Sequence, residues 1–209
     1  MRASSASSAS RFAFEVLGAR PALRRLLSGL SLLLAVVGLA CVAYPMGTDL
    51  VQHRIQHRLA VSWRRPEAAE AWRGGTVPAG RGLTRLRIPA IGTDVVVVEG
   101  TGRSALRAGA GHYPGTPLPG QPGNVGIAGH RTTYGKPFAD LDRLREGALV
   151  EFETPVGPFT YRVVGEPRPV DRTALSVVGW SPGSTLTLTT CHPKGSARRR
   201  LVVRAELVP

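Results

Sequence analysis

The sequence is poor in several residue types at once, and each scarcity closes off a class of protein. Two cysteines in 209 residues exclude a disulfide-stapled scaffold. Lys136 and Lys194 are the only lysines, so the formal net charge of +13 and the pI near 11.3 rest on arginine. Those arginines are strewn along the chain instead of forming one tract with interleaved aromatics, which make up 6% of residues. That argues against a nucleic-acid partner. Acidic residues form no cluster that would hold calcium, and neither a metal nor another cofactor is expected. With 43% apolar residues, 25 Gly and 17 Pro, the chain reads as turn-rich and globular, neither a coiled coil nor wholly disordered.

Charge is missing altogether from Leu26 to Thr48. As a helix, the apolar run ending at Tyr44 measures roughly 30 Å, enough to cross the hydrocarbon core of a bilayer. A cleavable signal peptide has a shorter apolar region and a small-x-small site, which Ala40-Cys41-Val42-Ala43 does not supply, and Gly38 departs from a lipoprotein box. Arginines before and after the run balance, but Arg24 and Arg25 abut it while the first charge beyond is Asp49. Adjacency places the amino terminus in the cytoplasm and the remainder outside. The expected organisation is a disordered tail over 1–25, a transmembrane helix over 26–47, a helical stalk and linker over 48–82, and a folded domain over 83–209.

Within the stalk, Asp49 to Trp72 reads as one helix with Leu50, Ile55 and Leu59 near one face, ending at Gly74-Gly75 and Pro78. His53 and His57 stand at i and i+4, but no third metal ligand is in view, so a solvated helix face is the reading preferred. From Leu83 the pattern changes to short β-type runs punctuated by Gly and Pro. Thr93 to Glu99 is Val-rich. Ala148 to Glu153 and Phe159 to Val164 alternate and form a hairpin about Pro155-Val156-Gly157-Pro158. Thr185 to Cys191 and Arg200 to Leu207 are the last strands, and Pro137 to Leu144 reads as a short helical insertion. The domain is mainly β.

Alternation also locates chemistry. In Thr185-Leu-Thr-Leu-Thr-Thr-Cys191 the leucines share one face and Cys191 joins Thr185, Thr187 and Thr189 on the other, so the thiol points away from the aliphatic core. With Cys41 in lipid, Cys191 is the lone cysteine of the exported part, and an unpaired thiol in an oxidising compartment suggests a nucleophile. The alternative is a small buried hydrophobe. Pairing the last two strands antiparallel sets the head of the final strand beside Cys191, where a guanidinium supports a developing oxyanion. Strand facing favours Arg200 over Arg198 and Arg199. A proton donor must be an imidazole, and of His112, His130 and His192 the strand-end His130 is favoured. His192 would be thrown to the face opposite Cys191.

Thr187-Leu188-Thr189-Thr190-Cys191, Ala128-Gly129-His130-Arg131 and Arg200 at the head of the last strand together resemble the sortase signature. Gly111 to Phe138, with Cys-His-Pro after Thr-Thr, is similar to the class E sortases of actinobacteria. The resemblance implies an eight-stranded sortase-type β-barrel with short helices, preceded by one transmembrane helix. It implies a cysteine transpeptidase that attacks the Thr carbonyl of a carboxy-terminal sorting motif, with catalytic Cys191, His130 and Arg200. Its partners would be sorting-motif-bearing secreted proteins and an amine on a peptidoglycan precursor. Class E likeness implies a Leu-Ala-x-Thr-Gly motif and links Tyr113 to that preference. Thr189, Thr190 and His192 are expected beside Tyr113 as substrate-binding residues, His192 at the cleft edge.

The rivals are an L,D-transpeptidase, whose Ser-His-Gly-x-x-Asn-Cys type loop is missing, and a papain-like protease, in which Cys precedes His. From a different class comes a non-catalytic membrane-tethered binding domain with an inert Cys191.

Overall fold

Residues 21–209 are described by a computed structural model, so the tail expected over 1–25 lies outside the described residues as far as residue 20. Two compact units succeed one another along the chain, one ending at Tyr44 and the other running from Pro45 to Pro209. Helix α1 (Pro21–Ser62) begins five residues before the uncharged run, taking in Arg24 and Arg25, and is long and apolar enough to cross a membrane. Cys41 is exposed on it.

The single helix expected from Asp49 to Trp72 is interrupted. Pro66 disfavours the α conformation at Arg65, whose φ of −74° and ψ of 149° are extended, and α2 (Pro66–Arg73) starts afresh there. Nor is this region a free stalk. Trp63 and Trp72 are buried, and Trp72 joins the main hydrophobic core. Ile55 and Leu59 pack on Val98, Ala105 and Ala108, whereas Leu50 is exposed. The inward face of α1 is Thr48, Gln52, Ile55 and Leu59, at i, i+4, i+7 and i+11. It is half polar, which hides it from a search for apolar periodicity.

The eight strands are β1 (Gly82–Ile88), β2 (Thr93–Glu99), β3 (Ala110–His112), β4 (Gly123–Ala128), β5 (Leu149–Thr154), β6 (Gly157–Asp171), β7 (Ser184–His192) and β8 (Arg199–Leu207). They close into a barrel in the order β1-β2-β3-β4-β7-β8-β6-β5, the mainly β, eight-stranded architecture expected. Neighbours are antiparallel except β2 with β3 and β4 with β7. The β5–β6 hairpin forms as read, with Phe152 opposite Phe159. Alternation sends Leu86, Val97, Ile127, Tyr161, Leu186 and Leu188 inward, all without accessible surface. Burying each such side chain contributes about 1.5 to 3 kcal/mol.

Between β2 and β3 lies α3 (Arg103–Ala108). The helical insertion expected over Pro137 to Leu144 reduces to a 3₁₀ turn at Leu141–Arg143. Phe138, Leu141 and Leu144 are all fully buried, and their three-residue spacing matches the 3₁₀ period better than the α period.

Candidate active site

The site sits where three strand ends meet. β4 and β7 run parallel with Ala128 opposite Thr189, so the chain leaves both strands at the same rim. The pairing continues beyond β4: Gly129 N donates to the Thr189 carbonyl at 3.0 Å, and Thr190 Oγ1 donates to the Gly129 carbonyl at 2.8 Å. That carries His130 alongside Cys191. Gly129 is required by close approach, since any Cβ there would collide with the Phe138 ring. On the other side, β7 and β8 are antiparallel with Cys191 directly opposite Arg200.

Arg200 Nη1 donates to Cys191 Sγ at 3.1 Å. Cys191 is half-buried, and with Tyr113, His130, Thr189, Thr190 and Arg200 it lines one cleft of about 350 Å³. Tyr113 and Thr189 share a hydrogen bond of 3.0 Å between their hydroxyls. The Tyr113 ring lies close over Gly126, where a Cβ would come within 2.9 Å of it. Thr190 also lines the cleft, but its hydroxyl is taken up by its bond to Gly129.

His192 is placed differently. It stands opposite Arg199, and its Nδ1 accepts from Arg131 Nη1 at 3.0 Å. It is not among the residues lining the cleft. Arg131, a member of the signature segment to which sequence alone assigned no role, is buried and also donates to the Cys191 carbonyl at 3.2 Å while pairing with Asp142 at 2.9 Å. It fixes the backbone on which the thiol sits. His112, the less favoured imidazole, is fully engaged: Nδ1 lies 2.7 Å from a Glu99 carboxylate oxygen, and Nε2 lies 3.0 Å from the Pro117 carbonyl.

The cleft's outer wall comes from the β6–β7 connection, with Arg172, Ala174, Leu175, Val177 and Val178, and from Leu106 of α3. Asn124 Nδ2 donates to the carbonyls of Val177 and Gly179 at 3.1 and 3.0 Å. Thr187 Oγ1 donates to Asn124 Oδ1 at 2.8 Å. The buried polar side chains Asn124 of β4 and Thr187 of β7 thus tie down the wall.

Burial is the main cause holding the His130 pKa below its ordinary 6.5, and the charge of Arg107 adds to it. Both disfavour the imidazolium. His130 therefore stands neutral near pH 7, the form in which an imidazole accepts a proton. Protonation as pH falls removes that capacity, so the acid limb of kcat/KM is expected below pH 6.5. Replacing Arg107 by Met relieves one of the two causes and should move that limb upward toward 6.5, measured as the pH profile of kcat/KM. A limb that stays put or moves down contradicts the assignment.

A thiol under a guanidinium, with an imidazole on the same cleft, at the rim of a closed barrel is the arrangement of a cysteine-nucleophile enzyme. Comparison with known proteins narrows the class. The family model described as Sortase domain matches residues 86–208, and the chain belongs to the sortase family. It is 30% identical over 189 residues to sortase SrtE1 of Streptomyces coelicolor, covering 83% of this chain and 54% of that protein. It thus spans about half the length of that relative. The structure of sortase E from Streptomyces avermitilis is 37% identical, with a TM-score of 0.58 over 64% of this chain and 91% of that one. That of sortase E1 from Streptomyces coelicolor with a tripeptide in its active site is 31% identical, with a TM-score of 0.59 over 62% and 90%.

Proposed function

We propose that the protein is a membrane-anchored cysteine transpeptidase that cleaves a carboxy-terminal sorting motif between Thr and Gly and joins the Thr carbonyl to a cell-wall amine. The observation that carries this reading is the 3.1 Å hydrogen bond from Arg200 to Cys191 Sγ in a cleft that His130 also lines. Neutral His130 takes the thiol proton as Sγ attacks the Thr carbonyl carbon. Negative charge passes from sulfur to the carbonyl oxygen, and Arg200 is placed to donate to either. The Thr–Gly C–N bond breaks as the imidazolium returns its proton to the departing amine, leaving a thioester on Cys191. An acceptor amine, of the kind a peptidoglycan precursor carries, then attacks the thioester. His130 takes the amine's proton, an amide forms, and the sulfur leaves to regain its proton.

The apolar part of α1 is the anchor, over 26–47, and Arg24 and Arg25 beside it set the amino terminus in the cytoplasm and the barrel outside. The substrates are secreted proteins bearing the motif. Leu-Ala-x-Thr-Gly is the motif favoured, as the resemblance to class E sortases implies; Tyr113, which that resemblance links to the preference, lines the cleft with its hydroxyl 3.0 Å from that of Thr189.

The test uses the full chain in lipid nanodiscs with Leu-Ala-x-Thr-Gly and Leu-Pro-x-Thr-Gly peptides, each with and without an added amine. The first peptide should be cleaved faster, by about tenfold for a difference of about 1.4 kcal/mol, and the amine should divert product from free acid to amide. A clear preference for the second peptide overturns the motif. Product composition indifferent to amine overturns transpeptidation.

A further inference from the structure

We infer that the turn of α1 just beyond the apolar run, through Thr48, Asp49 and Gln52, is a clamp that positions His130 for proton transfer; the inference rests on His130 being the acid–base group. Among the described residues the His130 ring makes no hydrogen bond. An imidazole that must meet a sulfur and a leaving amine ordinarily needs a third group to orient it. Here the neighbour is the Tyr134 ring, with centroids 5.3 Å apart and planes tilted by 38°. Orientation of His130 thus depends on where Tyr134 is held.

Tyr134 belongs to a turn that does not hold itself. Tyr134, Gly135 and Lys136 have φ of 52°, 72° and 46° in succession. Two of these are side-chain-bearing residues in the left-handed region, a conformation that persists only when surroundings enforce it. The enforcing contacts come from one turn of α1. Asp49 Oδ1 accepts from Gly135 N at 2.8 Å, and Oδ2 lies 3.1 Å from Lys136 Nζ. Thr48 Oγ1 donates to the Pro45 carbonyl at 2.8 Å and faces Tyr134 N at 3.5 Å. The Gln52 carboxamide lies against Gly135, so a Cβ there would push it aside.

The clamp is itself braced. One turn further on, Gln56 Nε2 donates to the carbonyls of Val96 and Ala108 at 3.0 and 2.7 Å, and Gln56 Oε1 accepts from Val96 N at 2.6 Å. The Arg107 guanidinium also reaches Tyr134, lying 5.6 Å from its ring centroid. Tyr134 is therefore gripped between α1 and α3, and His130 packs on what they grip. The charged and titratable groups about His130 are Tyr134 against its ring, Arg107 from α3, and Tyr113, Arg172, Cys191 and Arg200 in the cleft. Asp49 and Lys136 act through the turn.

The experiment compares full-length wild type, Asp49→Ala and Asp49→Asn in nanodiscs. Asn keeps the acceptor for Gly135 N and loses the charge. Asp49→Ala should lower kcat about tenfold with KM within about twofold, because a small misplacement of a proton-transfer group costs rate and not binding. Its acid limb should rise toward pH 6.5 as the loosened turn admits water to His130. Asp49→Asn should recover most of the rate. Wild-type kcat and an unmoved limb in Asp49→Ala overturn the clamp, as does a loss shared equally by kcat and KM that Asn does not rescue. Should the wild-type chain cleave no sorting peptide, the proposed function fails separately. The clamp is then decided by hydrogen exchange at the Gly135 amide and the NMR titration of the His130 ring. Faster exchange and a raised midpoint in Asp49→Ala support it, and no change in either refutes it.

Discussion

Replacing Cys191 by alanine should lower peptide cleavage by about 10⁴-fold or more, since loss of the proposed nucleophile removes the proposed covalent route and leaves only binding and electrostatics. The thiol is half-buried at the rim and contributes nothing to the barrel core, whose nearby members Leu186 and Leu188 point the other way. Truncation of Sγ removes one acceptor from Arg200, which remains on the cleft. The melting temperature is therefore expected within about 2 °C of wild type. Activity and stability separate cleanly in this variant. A binding domain with an inert cysteine predicts the opposite: function kept after Cys191→Ala.

Substituting Arg200 by Met should cost about 10² to 10³ in kcat, the scale seen when one donor to a developing oxyanion is removed. Lysine at the same position keeps the charge but not the planar fork, and should recover only part of the loss. The neighbouring arginines provide the control. Arg199 stands opposite His192 and its Nη2 donates to the Pro169 carbonyl at 3.1 Å on the exposed side. Arg198 is exposed, with its backbone N bonded to Ser196 Oγ at 3.3 Å. Met at either should change kcat/KM by less than about threefold, the range of surface substitutions. A greater loss at Arg199 than at Arg200 in steady-state cleavage would show that the β8 facing is off by one residue.

Strand facing was legible because its cause is local. A period of two in β7 separates Leu186 and Leu188 from Thr187, Thr189 and Cys191 with no knowledge of partners, and the register of β7 on β8 then sets Arg200 against Cys191. The contribution of β4 is less local: His130 reaches the rim only because β4 runs parallel to β7, which no single segment encodes. The polar inner face of α1 was invisible for a related reason. Thr48 and Asp49 look solvated until the Tyr134–Lys136 turn, far along the chain, supplies the donors they meet, and Gln52 until Gly135 of that turn packs against it. The cleft wall at Leu175 to Val178 escaped as well, since its residues bring shape rather than reactive groups, and only Asn124 and Thr187 beneath it betray that something is anchored there.

On the proposed function, catalysis by this cleft comes down to one covalent event at one sulfur. Mixing the full chain with a Leu-Ala-x-Thr-Gly peptide, quenching in acid and weighing the intact protein should show a mass increase equal to the peptide acyl group ending at Thr. The increase should map to Cys191 and disappear on adding an amine. Turnover without any such adduct, or an adduct carried by another residue and retained in Cys191→Ala, would contradict it.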